Sequence, residues 1–129
     1  MIVWRGHDVG LRVEFKDDLV VLFHSSPYTW YCTHGLRTRE EQNKLYNIYI
    51  TNGKPKAAPP GKSPHEYGMA VDVVLDIDPD KPGLQPSWNI KLLAWLWLFT
   101  NLKLHPRLKS GISFDDGDHI EVYKWTKYI

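Results

Sequence analysis

One cysteine in 129 residues, Cys32, excludes any intrachain disulfide. Stability must then come from packing, or from packing aided by a metal. Charge of one sign is also missing: 16 Lys and Arg against 15 Asp and Glu leave a formal charge of +1. Nucleic-acid binders carry a basic excess or a basic stripe. The nearest approach here is Lys54, Lys56 and Lys62 in one stretch, read as solvated charge. Nucleic acid is therefore not an expected partner. Long apolar runs are absent too. The longest, Leu92 to Phe99, has eight residues, where a bilayer span takes about 20, so no stable membrane insertion is expected. Met1 to Asp8 lacks the basic start, apolar stretch and small-residue cleavage site of a secretory signal.

What remains is an ordinary globular composition, 43% apolar and 24% charged. Its length suits a single domain over residues 1–129, expected as a monomer. Phe15, Leu19 and Leu22 or Phe23 recur at helical spacing within Val13 to His24. Tyr28 to Thr33 is aromatic and β-branched, a strand carrying Cys32 into the core. Thr38 followed by Glu41 forms a capping box that starts a helix to Ile50, with Leu45, Tyr46, Ile48 and Tyr49 as its apolar side and Asn52-Gly53 as its stop. Asn52 to Pro64 reads as one long loop. Ala70 to Leu75 is a strand with Asp72 set among valines. Ser87 caps a helix to about Lys103 whose middle is apolar nearly all round, which predicts that it is well buried; Trp88, Trp95 and Trp97 are read as helical core packing rather than a sugar-stacking platform. A last strand runs from His119 to Tyr123. Helices and strands mix without regular alternation, so the fold class is α+β.

Two segments concentrate chemistry. In Ser63-Pro64-His65-Glu66-Tyr67-Gly68-Met69-Ala70-Val71-Asp72, the histidine and the aspartate would stand up to about 24 Å apart if extended. Gly68 permits a turn that brings them together. In Asp115-Asp116-Gly117-Asp118-His119-Ile120-Glu121, period two places Glu121 on the face of His119. Two histidines and a carboxylate suffice for a catalytic zinc that keeps a place for water. Such a metal brings the pKa of water to roughly 7. Asp116 is the candidate general base, and Arg37 the candidate partner for a developing oxyanion. With six histidines in the chain, chance pairs and a merely structural His–Asp hydrogen bond compete with this reading.

Three signatures together resemble the zinc peptidases that include the VanX and VanY enzymes and the phage L-alanyl-D-glutamate endolysins. Ser-x-His-x-x-Gly-x-Ala-x-Asp is met by Ser63, His65, Gly68, Ala70 and Asp72. Asp-x-x-His-x-Glu is met by Asp116, His119 and Glu121. Gly-x-Arg-Ser/Thr-x-x-x-Gln is met by Gly35, Arg37, Thr38 and Gln42. The resemblance implies His65, Asp72 and His119 as Zn²⁺ ligands, Asp116 as base and Arg37 as a group that holds the substrate or stabilises the transition state. It also implies a compact domain in which a small antiparallel sheet, flanked by helices, supports the metal. Ser63 and Glu121 are expected beside the ligands or the substrate. Asp118 stands where many phage members have proline, so Asp115 and Asp118 compete with Asp116 for the base role.

The function that follows is cleavage of bacterial peptidoglycan by a phage endolysin at the L-Ala–D-Glu bond. The protein would be held in the host cytoplasm and then act in the periplasm or wall. A D,D-carboxypeptidase or dipeptidase on D-Ala-D-Ala ends is the alternative, with Arg5, Arg39, Arg107 or the loop lysines binding the terminal carboxylate. A zinc-stabilised binding domain without activity is the third reading, since the hedgehog signalling domain resembles this family yet serves as a ligand. His7, His24, His34 and His105 match no motif position and are read as structural or solvent-facing.

Overall fold

A computed structural model describes residues 1–76, 88–112 and 116–129, except the side chains of Trp88, Asn89 and Asp116. In chain order the elements are β1 (Ile2–Val3), α1 (Val13–His24), β2 (Trp30–His34), α2 (Arg39–Asn52), a 3-10 turn (Pro64–Tyr67), β3 (Ala70–Leu75), α3 (Trp88–Leu104), β4 (Leu108–Gly111), β5 (Asp116–Val122) and a closing 3-10 turn (Trp125–Tyr128). The strands form one sheet in the order β1-β2-β3-β5-β4. The class is α+β, as expected. The sheet is mixed rather than antiparallel, because β1 pairs parallel with β2 while every other pairing is antiparallel.

The two faces of the sheet have different tasks, and the period-two alternation of strands separates them. Trp30 and Cys32 of β2, Val71 and Val73 of β3, and Ile120 of β5 are fully buried in one core. Phe15, Leu19, Leu22 and Phe23 of α1 and Ala94, Leu98 and Leu102 of α3 close over it. Within that core the Cys32 thiol is pushed up to about 12, chiefly by burial, so it is an inert packing group. Asp72, between Val71 and Val73, necessarily leaves by the opposite face. The aspartate among valines is thus the polar side of a strand whose other side is core.

Two features of α2 and α3 correct the sequence reading. Thr38 does cap α2 through a complete capping box, and Gly53 ends it in the left-handed region at φ 77°. However, Gln42 is the one buried residue of α2, and Ile48 is 44% exposed. The helix therefore relies on its cap and stop more than on an apolar face. α3 is not deeply buried. Ile90, Leu92, Leu93 and Leu96 are exposed, and among the described residues of the helix Ala94, Leu98 and Leu102 are the ones fully packed in the core. Trp95 and Trp97 pack against the core as partly buried side chains. Ser87 and Asp115 lie outside the described residues, as does the side chain of Trp88.

Candidate metal centre

The site is built from three adjacent strands and the 3-10 turn. In register, His34 of β2 pairs with Asp72 of β3, and Asp72 pairs with His119 of β5. Directly opposed residues in neighbouring strands share a face, so these three stand in one row across the sheet. His65 reaches them from the turn before β3. Ser63 starts that turn by accepting from the His65 N–H, and Glu66 accepts from the Ser63 N–H. Gly68 ends it at φ 68°, and a side chain there would collide with the Gly10 carbonyl. The chain thus folds back by the turn that Gly68 was expected to allow.

Three ligand atoms converge. His65 Nε2 lies 3.2 Å from His119 Nδ1 and 3.4 Å from Asp72 Oδ1, and His119 Nδ1 lies 3.5 Å from Asp72 Oδ1. Ligand atoms bound tetrahedrally at about 2.0–2.1 Å from one zinc sit about 3.3 Å from each other. The triangle therefore has the size that one such ion requires.

Hydrogen bonds on the far side of each imidazole fix the tautomers. His65 Nδ1 is 2.9 Å from the Gly35 carbonyl, which can only accept. Its N–H is therefore there, and the Nε2 lone pair faces the triangle. His119 Nε2 donates to Glu121 Oε1 at 2.8 Å, which turns Nδ1 inward. Asp72 Oδ1 is the buried side-chain oxygen left without a hydrogen-bond partner among the described residues. Converging acceptors demand positive charge, from a proton or a metal. In the metal-free chain the proton serves. Burial opposes a charged His119 ring, but Asp72 and Glu121 outweigh it and lift its pKa to about 9. Burial likewise opposes ionisation of Asp72, and the His119 and His65 rings beside it outweigh that and hold it well below the usual carboxylate range. The donor set, two imidazoles and a carboxylate, suits zinc, and the His-Asp-His group can hold a metal ion.

The other expected residues divide. Glu121 is buried against His119, as period two required. Ser63 is buried and caps the turn locally. Arg37 is tied to the centre through its backbone, its N–H donating to the His65 carbonyl at 2.9 Å. Its guanidinium donates to Gln42 Oε1 at 2.8 Å, while Gln42 Nε2 donates to the Ala58 carbonyl at 2.8 Å. Gln42, only one element of a signature in the sequence, thus joins Arg37 to the long loop. Asp116 opens β5, paired with Gly111, and its side chain lies outside the described residues. Between the pairs Ser110–Ile120 and Gly111–Asp116 the register shifts, so strict alternation no longer relates Asp116 to His119.

One residue of the site was missed. His34 Nδ1 lies 3.5 Å from Asp72 Oδ2 and 3.1 Å from Thr33 Oγ1. Counted from Cys32, His34 belongs on the core face. A register shift between Cys32 and His34 reverses that parity and re-aims the ring toward Asp72, as bulges beside functional sites do.

No protein-family model matches the sequence, and no curated protein matches it. Solved structures do. The L-Ala D-Glu endopeptidase ChiX of Serratia marcescens shares 16% identity at a TM-score of 0.63, over 96% of this chain and 88% of that one. The D,D-dipeptidase VanXYg, solved with a D-Ala-D-Ala phosphinate analogue, shares 20% at 0.55, over 92% of this chain. This chain spans only 53% of that protein's length. A variant of the D,D-pentapeptidase VanY in complex with Zn(II) shares 18% at 0.54, over 87% and 72%. The resemblance drawn from the three signatures thus extends to the fold.

Proposed function

We propose that the chain is a zinc-dependent peptidase that hydrolyses the stem peptide of bacterial peptidoglycan, at the bond between L-alanine and D-glutamate. The observation that carries this is the triangle of His65 Nε2, Asp72 Oδ1 and His119 Nδ1, with sides of 3.2, 3.4 and 3.5 Å. These residues would hold the zinc, which would supply Lewis-acid chemistry, polarising a scissile carbonyl and bringing a water toward ionisation near neutral pH. Asp116 accepts a proton from the attacking water and returns it to the leaving amine as the C–N bond breaks. Arg37, braced by Gln42, would stabilise the charge that grows on the carbonyl oxygen. A phage lysin made in the host cytoplasm and acting on the wall is the setting we assign to it.

The arginines favour an endopeptidase, while the loop lysines Lys54, Lys56 and Lys62 stay open as carboxylate partners. A site for a terminal carboxylate needs a dedicated cation. Arg5 lies 3.7 Å above the ring centre of Tyr31. Arg39 pairs with Glu66 at 3.5 Å. Arg107 grips Asp18 through two bonds of 2.9 and 2.8 Å. Each thus has another partner. The likeness to VanXYg and VanY supports the D,D-peptidase reading instead, and products decide between them. Purified peptidoglycan would be digested with and without a chelator and read by mass spectrometry. Chelator-sensitive release of a D-glutamate amino terminus is expected. Release of D-alanine or D-alanyl-D-alanine would assign the chain to the D,D-peptidases, and no product despite bound zinc would leave a binding domain.

Glu121 orients a ligand rather than touching substrate. Partners of this kind hold tautomer and ring direction, and their loss costs about 10–100-fold in metal affinity. Glu121→Ala should weaken zinc binding by about that factor in a competition titration with a chromophoric chelator, and Glu121→Gln by less. Unchanged affinity in Glu121→Ala would remove the orienting role.

A further inference from the structure

Each imidazole of the metal centre has an acceptor behind it. The Gly35 carbonyl stands behind His65, and Glu121 stands behind His119. The carboxylate has a counterpart of its own. Asp72 turns Oδ1 into the triangle, while its other oxygen, Oδ2, lies 3.5 Å from His34 Nδ1. Packing does not account for His34 in this place. Its side chain is 64% exposed, against 4% and 6% for His65 and His119. What puts it there is the register shift that brings it opposite Asp72, together with one polar neighbour.

That neighbour fixes the ring's tautomer. His34 Nδ1 lies 3.1 Å from Thr33 Oγ1, and the Thr33 hydroxyl donates its own proton to the Asp72 carbonyl at 3.4 Å. Toward the ring the hydroxyl can therefore only accept, and an ionised carboxylate also only accepts. Nδ1 accordingly carries the proton, between Thr33 Oγ1 and Asp72 Oδ2. The consequence concerns coordination number. A carboxylate with both oxygens free can grip an ion through one oxygen or through two. The second oxygen would take the place that a catalytic zinc keeps for water. A donor on Oδ2 competes with the ion for that oxygen, as partners of metal ligands do. We propose that His34 is a positioning residue, its Nδ1–H keeping Asp72 Oδ2 away from the ion so that Asp72 meets it through Oδ1 alone. This rests on the zinc reading of the His65, Asp72 and His119 triangle, and not on which peptide bond is cut.

Metal spectroscopy on the whole chain tests it without any peptidoglycan. Cobalt(II) serves as the probe in place of zinc, because its visible absorption is strong in a four-coordinate site and weak in a five-coordinate one. The wild-type chain should give the four-coordinate spectrum. His34→Ala should lose intensity toward the five-coordinate spectrum. His34→Asn should restore it, since its amide N–H falls where the Nδ1–H of histidine stands. The position is largely exposed, so the melting temperature of the metal-free chain should be the same in all three. His34→Val, equally without a donor and well suited to a strand, takes the place of alanine if that variant melts differently. A wild-type spectrum in the donorless variant, or an asparagine variant that behaves like alanine, would overturn the proposal and leave the zinc reading standing. So would a donorless variant with the wild-type spectrum and a raised KM alone, which would make the ring a substrate contact. A five-coordinate spectrum in the wild type would overturn it as well. A wild-type chain that binds neither cobalt nor zinc would overturn it together with the zinc reading.

Discussion

Asp116→Ala is expected to lower kcat for peptidoglycan hydrolysis by about 10²–10⁴-fold, the usual contribution of a positioned base, while zinc content stays at the wild-type level. Asp116 stands three residues before His119, at the start of the strand that carries this candidate ligand. Asp115→Ala and Asp118→Ala are the controls, and both should keep most of the activity. Asp118 is exposed, and as the residue next to His119 in the strand it points to the other face. Loss of activity in Asp118→Ala with retention in Asp116→Ala would transfer the role. A variant that lost zinc along with activity would make Asp116 a ligand instead. Metal analysis alongside kinetics separates these outcomes.

Removing zinc should lower the melting temperature on the order of 10 °C or more, because a ligand present at 1,000 times its dissociation constant stabilises by about 4 kcal/mol. The size of this gap should depend on pH. His119 has a raised pKa in the metal-free fold, about 9. Its proton therefore stabilises the metal-free chain fully below the ordinary value of about 6.5, and that stability is lost as pH rises through 9. Zinc must displace the same proton, so its apparent affinity grows over the same interval. The difference between zinc-loaded and chelated melting temperatures is expected to widen from pH 6.5 to 8.5. A constant difference would show that His119 is not the displaced group. No widening in His119→Gln, with its weaker metal binding, completes the check.

The legible parts of the sequence were those whose signal is local. β3 was read at its exact bounds, Ala70–Leu75, because alternation and flanking glycine lie within the segment. The Thr38 capping box and the Gly53 stop were equally local. β1 and β4 were not found. Ile2–Val3 is too short to show a period, and Leu108-Lys109-Ser110-Gly111 has neither β-branched residues nor alternation. α3 was misread because a helix apolar all round is ordinarily enclosed, and composition cannot show that only one side meets a core. Within the site, His65, Asp72, His119 and Glu121 could be found from spacing and signatures. His34 could not, since its place depends on a register shift between β2 and β3. Gln42 needed the partner atoms on Arg37 and Ala58, which lie on opposite sides of it in the chain.

The cross-strand row of His34, Asp72 and His119 also makes the sheet self-auditing. A slip of β3 by a single residue would bring Val71 or Val73 into the row and turn Asp72 into the core, because every side chain changes face. The slipped chain would then hold two imidazoles and no carboxylate. Retention of zinc would therefore act as a certificate of strand register: molecules able to hold the ion are those whose β2, β3 and β5 are aligned to the residue. Metal supplied during refolding should accordingly enrich the correctly aligned population, selecting among pairings that the valines alone distinguish less sharply.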